Sequence, residues 1–158
     1  MIGVIRHLAI NHRNAIVTTN SSQKVNAFLG KHDLDNLIHA VYGVDSPGSK
    51  VQKIVMARKQ LLENREQGAV FMVGDSLSDI LAAKEASVTS IAVTWGHQSL
   101  ENLLGGNPDY VVRSAQDLMG VIEQKKALLH LLGIESRLDR PGGKELITHL
   151  DLAAISVL

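Results

Sequence analysis

Apolar positions along the chain fall into two alternating rhythms. Short continuous runs read as strands: "AIVT" (15–18), "LIHAVYG" (37–43), "AVFMV" (69–73), "SIAVTW" (90–95) and "YVVRS" (110–114). Between them, apolar residues recur at three to four. Val25, Phe28 and Leu29 do so within 22–32, where Gly30 near the end acts as a stop. Val51, Ile54, Val55, Met56, Leu61 and Leu62 do so within 49–64. Further helices are expected over 78–86, 99–104 and 114–132, the last with Ser114 and Asp117 placed for a capping box. The N-terminal "MIGVIRHLAINHR" reads as a helix or helix remnant. Strands that are continuously apolar, rather than alternating, are buried on both faces. Single helices between such strands predict a doubly wound parallel sheet of the α/β class. That pattern occupies residues 1–132. From Gly133 onward the rhythm is lost, Pro141-Gly142-Gly143 is a break, and 133–158 is a tail with no assigned role.

Composition narrows the function classes. A chain of 158 residues is most simply one domain, and 45% hydrophobic with 20% charged residues is ordinary for a globular protein. Sixteen basic and sixteen acidic residues cancel, so no global field draws in nucleic acid or an anionic membrane. There is no cysteine, which excludes a disulfide framework and thiolate chemistry. No apolar run reaches membrane-spanning length, and the expectation is a cytoplasmic protein.

In a doubly wound sheet, ligands bind beyond the carboxyl ends of the strands. Three of those ends carry polar residues. "VTTNSS" (17–22) brings hydroxyls and an amide to a helix N-terminus, which either binds an anion or is simply capped by Ser21 or Ser22. "GVDSPGSK" (43–50) nearly matches a Walker phosphate loop, but Lys50 comes one residue late, no hydroxyl follows it, and Pro47 removes an amide donor. Lys50 is then either a surface lysine or one aimed into the site. "VGDSLSD" (73–79) ends a buried strand on Asp75 and sets Asp79 one helical turn on. The two carboxylates either cap and decorate a helix start or converge on a hard cation such as magnesium, which needs few carboxylates besides water and phosphate oxygens. His97 can border such a pocket or sit on a surface loop, and "DLD" (33–35) fits a solvated turn.

These residues, in this order, resemble the haloacid dehalogenase superfamily of phosphohydrolases, and its phosphoglycolate-phosphatase-like members in particular. "AIVTTNSS" is similar to the second family motif, "PGSKVQKI" to the third, and "VGDSLSDILAAKEA" to the fourth; "SIAVTWG" and "NPDYVVRSAQDL" follow in the usual spacing. The resemblance covers about residues 10–130, with Ser87 standing where a glycine is common. It implies a Rossmann-like core with magnesium and a small phosphorylated metabolite at the sheet's mouth. Thr18 would donate to a phosphoryl oxygen, with Thr19 and Asn20 beside it. Lys50 would neutralise the phosphoryl charge. Asp75 and Asp79 would hold the metal, Asp79 alternatively orienting Lys50 or the metal's waters.

One departure matters. The family's first motif, a strand ending in Asp-x-Asp, supplies the nucleophile and precedes everything matched here, yet the residues before the Thr18 strand contain no acid. The cap that follows that motif is missing too. The expectation is the C-terminal part of a phosphatase, truncated, split or degenerate and inactive alone. The alternatives are a non-catalytic phosphate- or metal-binding regulatory module, or a nucleotide-binding protein using residues 43–50. Without the first-motif strand the sheet is expected to be incomplete between the strands at 14–18 and 69–73. The gap can be closed by a complementing N-terminal segment, by self-association, by direct pairing of those two strands, or by the chain's own "AAISVL" tail.

Overall fold

The computed structural model describes residues 2–63, 68–131 and 152–156. In chain order the elements are α1 (Ile2–Asn11), β1 (His12–Val17), α2 (Ser22–Lys31), β2 (Ala40–Tyr42), α3 (Lys50–Leu61), β3 (Val70–Gly74), α4 (Leu77–Glu85), β4 (Thr89–Val93), α5 (Leu100–Gly105), β5 (Tyr110–Val112), α6 (Ala115–Leu131) and β6 (Leu152–Ser156). The six strands form one sheet in the order β2-β1-β6-β3-β4-β5, and every pairing is parallel. This is the α/β doubly wound sheet that the alternating runs imply.

Alternate residues of the same strand feed opposite faces of the sheet, as a period of two requires. Ala15, Val17, Val70 and Met72 pack with Ile54, Ala57 and Leu61 of α3 and Ala82 and Ala83 of α4. Phe71, Val73, Ile91 and Val93 pack on the other face with Val4 and Leu8 of α1 and Leu118 and Ile122 of α6. Ile16 joins Ile5 of α1 and Val25 and Leu29 of α2. Both faces are therefore covered, which explains why these strands are continuously apolar.

Two boundaries differ from the periodicity. β1 starts at His12, three residues ahead of the apolar run and inside the stretch read as the N-terminal helix, because His12 to Ile16 pair with β6. The run at 37–43 yields only the three-residue β2, because Asp35–Leu37 forms a 3-10 turn and Asp33 takes φ 53°. Leu34, fully buried against Val25 and Leu29, pulls the chain into that turn before a strand can start. Ser87 adopts φ 55° just after α4, the conformation for which glycine is the usual choice, and its amide closes on Lys84 O.

β1 and β3 do not pair directly. β6 lies between them, Asn14 and Phe71 both standing opposite Ala154. Of the ways to close the gap, the chain uses its own tail, through Leu152–Ser156 of the segment that contains "AAIS", so part of 133–158 belongs to the core sheet. The rest of that tail, Asp151 included, lies outside the described residues.

Candidate active site

All strands being parallel, their carboxyl ends share one edge, and the loops after β1, β2, β3 and β4 gather there. Lys50 is the first residue of α3, held by the loop that follows β2. Its ammonium meets Asp79 Oδ1 at 2.6 Å and donates to Ser78 Oγ at 3.1 Å. A lysine in a first helical turn opposes the helix dipole, and here a carboxylate from the first turn of α4 compensates it.

Asp79 is fully buried, and its two oxygens have separate tasks. Oδ1 takes Lys50. Oδ2 accepts from the Asp75 amide at 3.2 Å, the Ser76 amide at 3.0 Å and Ser76 Oγ at 2.7 Å. The helix cap is therefore Ser76, with Asp79 closing a capping box; Asp75 does not cap. The S-x-x-D spacing of Ser76 and Asp79 is the sequence signal that betrays this arrangement. Gly74 is obligatory beside it, since a Cβ there would collide with the Asp79 side chain.

Asp75 stands at the end of β3 with a different environment. Its Oδ2 accepts the His97 amide at 2.9 Å, and its carbonyl accepts the Gln98 amide at 3.2 Å. Gln98 Oε1 in turn accepts the Leu77 amide at 2.7 Å. Gly96 lets this loop press against Asp75, because a Cβ there would overlap the carboxylate. Asp75 Oδ1 takes no hydrogen bond from the described residues. His97 thus contributes its backbone to the pocket wall, while its side chain is exposed.

Thr18 follows β1 directly and is buried, its amide bound to Tyr42 O at 3.0 Å. Its Oγ1 accepts the Asn20 amide at 3.1 Å. Thr19 and Asn20 are exposed at the same edge. The α2 N-terminus is satisfied internally: Ser21 caps the Lys24 amide, and Asp45 Oδ1 accepts both the Ser22 amide at 2.8 Å and Ser22 Oγ at 2.9 Å. Those two Ser22 bonds hold the Asp45 carboxyl below the ordinary carboxylate range.

The near-Walker loop does not form a cradle. The amides of Gly43, Val44, Ser46 and Ser49 are taken by Ser22 Oγ, Asn20 O, Gly43 O and Gln52 Oε1. Gathered at this mouth are the Lys50 ammonium, the Thr18 hydroxyl, and the Asp75 Oδ1, which faces no donor among the described residues. Among the described residues no three His, Cys, Asp or Glu side chains converge. Asp75 and Asp79 are the acids beside Lys50, and only Asp75 has an oxygen to spare. An oxygen donor of this kind suits a hard cation that keeps most of its waters. Ser76, Ser78 and Asp45 take part in this edge without being singled out by the motifs.

Known proteins resemble this chain over most of its length. The family model for haloacid dehalogenase-like hydrolases matches residues 3–93. A phosphoglycolate phosphatase of Synechococcus elongatus is 31% identical over 111 residues, covering 69% of this chain and 50% of the relative. One from Vibrio cholerae is 35% identical over 111 residues, covering 68% and 48%. This chain therefore spans about half the length of the curated relatives it matches. Among solved structures, a haloacid dehalogenase-like hydrolase of Streptococcus pneumoniae superposes with a TM-score of 0.65 at 23% identity, over 76% of this chain and 57% of that one. That likeness is one of fold. No described helix is long and apolar enough to cross a membrane. Motifs, sheet and family match agree, and the chain belongs to the haloacid dehalogenase-like hydrolases.

Proposed function

We propose that this chain binds a small phosphomonoester together with magnesium at the sheet's carboxyl edge, and that by itself it turns the ester over negligibly. The observation that carries the reading is the Lys50–Asp79 pair, a cation fixed by a buried carboxylate beside Asp75 at the end of β3. Lys50 neutralises the phosphoryl oxygens, and Asp79 orients Lys50. Thr18 donates its hydroxyl to the phosphoryl group, with Thr19 and Asn20 lining the approach. Asp75 would hold the metal through Oδ1. Asp79, assigned to the metal on motif grounds, is better suited to the orienting role, because both of its oxygens are engaged. Bound there, magnesium would add positive charge against the phosphate oxygens. Phosphoryl transfer depends chiefly on positioning and charge stabilisation, and these groups supply both. Similarity to phosphoglycolate phosphatases makes a small phosphorylated metabolite the ligand class.

A nucleophile is a separate requirement. β6, the strand between Thr18 and Asp75, carries no acid in Leu152–Ser156. This favours a second reading, a binding or regulatory module that holds the ester without hydrolysing it. The nucleotide reading of residues 43–50 loses support, since the amides of Gly43, Val44, Ser46 and Ser49 are bound within the protein.

An aryl phosphate with magnesium tests the binding site that both readings share. The expected result is a raised melting temperature without phosphate release. Release above background that disappears in Asp75→Asn would show that the chain carries a working nucleophile. No thermal shift at all would remove the phosphate site.

A further inference from the structure

Lys53 is a buried charge that the site as described does not use. It lies one turn after Lys50 on α3 and is only 8% exposed. Its ammonium donates to Gly43 O at 2.7 Å, its one hydrogen-bond acceptor among the described residues. Burying an ammonium against a neutral carbonyl is costly, and near a helix N-terminus the dipole adds to that cost. Packing alone would be served better by methionine.

Gly43 explains what the charge holds. Its amide donates to Ser22 Oγ at 3.2 Å, and a Cβ at Gly43 would collide with the Ser22 amide and with Asp45. Ser22 is fixed by Asp45, and the next amide, Val44, donates to Asn20 O at 2.9 Å. The loop after β1, carrying Thr18 and Asn20, is thereby stitched to the loop after β2, which leads into Lys50. Lys53 grips the carbonyl side of that seam while Ser22 and Asp45 grip the amide side. The Asp45 carboxylate also lies close enough for the Lys53 charge to help keep it ionised.

We propose that Lys53 and Asp45 are positioning residues that clamp these two loops together, so that Thr18 and Lys50 present themselves to one phosphate. The proposal rests on the phosphate-site reading above and adds residues that the motifs do not contain. It predicts a separation of stability from binding. Replacing a poorly compensated buried charge by an apolar side chain of similar volume is often neutral or stabilising.

The test uses the full chain and orthophosphate with magnesium. Lys53→Met is expected to melt at or above the wild-type temperature yet bind orthophosphate about tenfold more weakly, the scale of one hydrogen bond to a charged group. Lys53→Arg, which can still donate to Gly43 O, is expected to restore most of that loss. Asp45→Asn, which keeps an acceptor for Ser22, is expected to bind better than Asp45→Ala. Amide hydrogen exchange at Gly43 and Val44 should accelerate in Lys53→Met. Wild-type affinity in Lys53→Met overturns the proposal, as does weaker binding that merely tracks a lowered melting temperature. If the wild-type chain binds no orthophosphate, the phosphate-site reading fails. The clamp is then judged by exchange alone, and unchanged exchange at Gly43 and Val44 overturns it.

Discussion

Asp79→Ala is expected to lower folding stability by about 3–5 kcal/mol, the cost of removing one partner from a buried ion pair. Asp79 is fully buried and serves four groups at once. Its loss leaves the Lys50 ammonium without its carboxylate. It also leaves the Asp75 and Ser76 amides and Ser76 Oγ short of an acceptor, and opens the first turn of α4. Asp79→Asn keeps one oxygen to accept from those three donors but turns its NH2 toward the Lys50 ammonium, so it should cost less than Asp79→Ala without being neutral. Lys50→Met should cost less than Asp79→Ala, since Asp79 Oδ2 keeps its three donors, but it leaves the buried Asp79 Oδ1 without its cation. Equilibrium urea unfolding gives the three values. A domain's whole stability is about 5–15 kcal/mol, so Asp79→Ala should bring the chain near its limit. A loss below about 1 kcal/mol, the net worth of a single ordinary hydrogen bond, would mean the cluster is not the keystone of this edge.

Ala154→Pro is expected to be nearly as damaging, for a backbone reason. Ala154 is the middle residue of β6 and stands between Asn14 of β1 and Phe71 of β3. Proline has no amide hydrogen, and in a central strand it removes a ladder bond and forces its ring into a neighbour. A proline inside regular structure costs about 3 kcal/mol or more. The urea midpoint should fall sharply, with β1 and β3 amides exchanging faster. An unchanged midpoint would mean that β6 is not an integral strand, and that the sheet is held by β1 with β2 and by β3 with β4 and β5.

The sequence reveals most where structure is local. β3, β4 and the second half of β1 announce themselves because strands covered on both faces must be apolar, Phe71, Val73 and Ile91 being covered on one face and Ala15, Val17 and Met72 on the other. Serines mark the helix starts, and Ser49, Ser76, Ser99 and Ser114 all cap. Ser114 does so for the Asp117 amide, while the Asp117 carboxylate turns instead to the Arg113 amide. The strand ends that carry Thr18, Lys50, Asp75 and Asp79, the residues of the proposed site, are legible because motif spacing fixes which strand end each follows. Three things are hidden. β6 is a short apolar run after a stretch with no rhythm, and its pairing with β1 and β3 joins opposite ends of the chain. Local pattern carries no information about such a partner. The division of labour between the two acids is hidden as well, because sequence shows that both can reach the site but not that Asp79 is already saturated. The Lys53–Gly43–Ser22–Asp45 seam joins two loops through tertiary contacts, and on its own Lys53 reads as an ordinary polar position of an amphipathic helix.

The division between the acids is also what the proposed chemistry stands on. If Asp79 serves Lys50 and Asp75 serves the metal, magnesium binding must depend on Asp75. The direct measurement is calorimetric titration of magnesium into the full chain with orthophosphate present, repeated on Asp75→Asn. The carboxamide introduced by that substitution retains an oxygen able to accept the His97 amide. The loop should therefore stay in place, and the variant should melt as the wild type does. Weak, saturable binding at one site in the wild-type chain, absent from Asp75→Asn, is the result predicted. Equal binding in the two proteins would contradict the account.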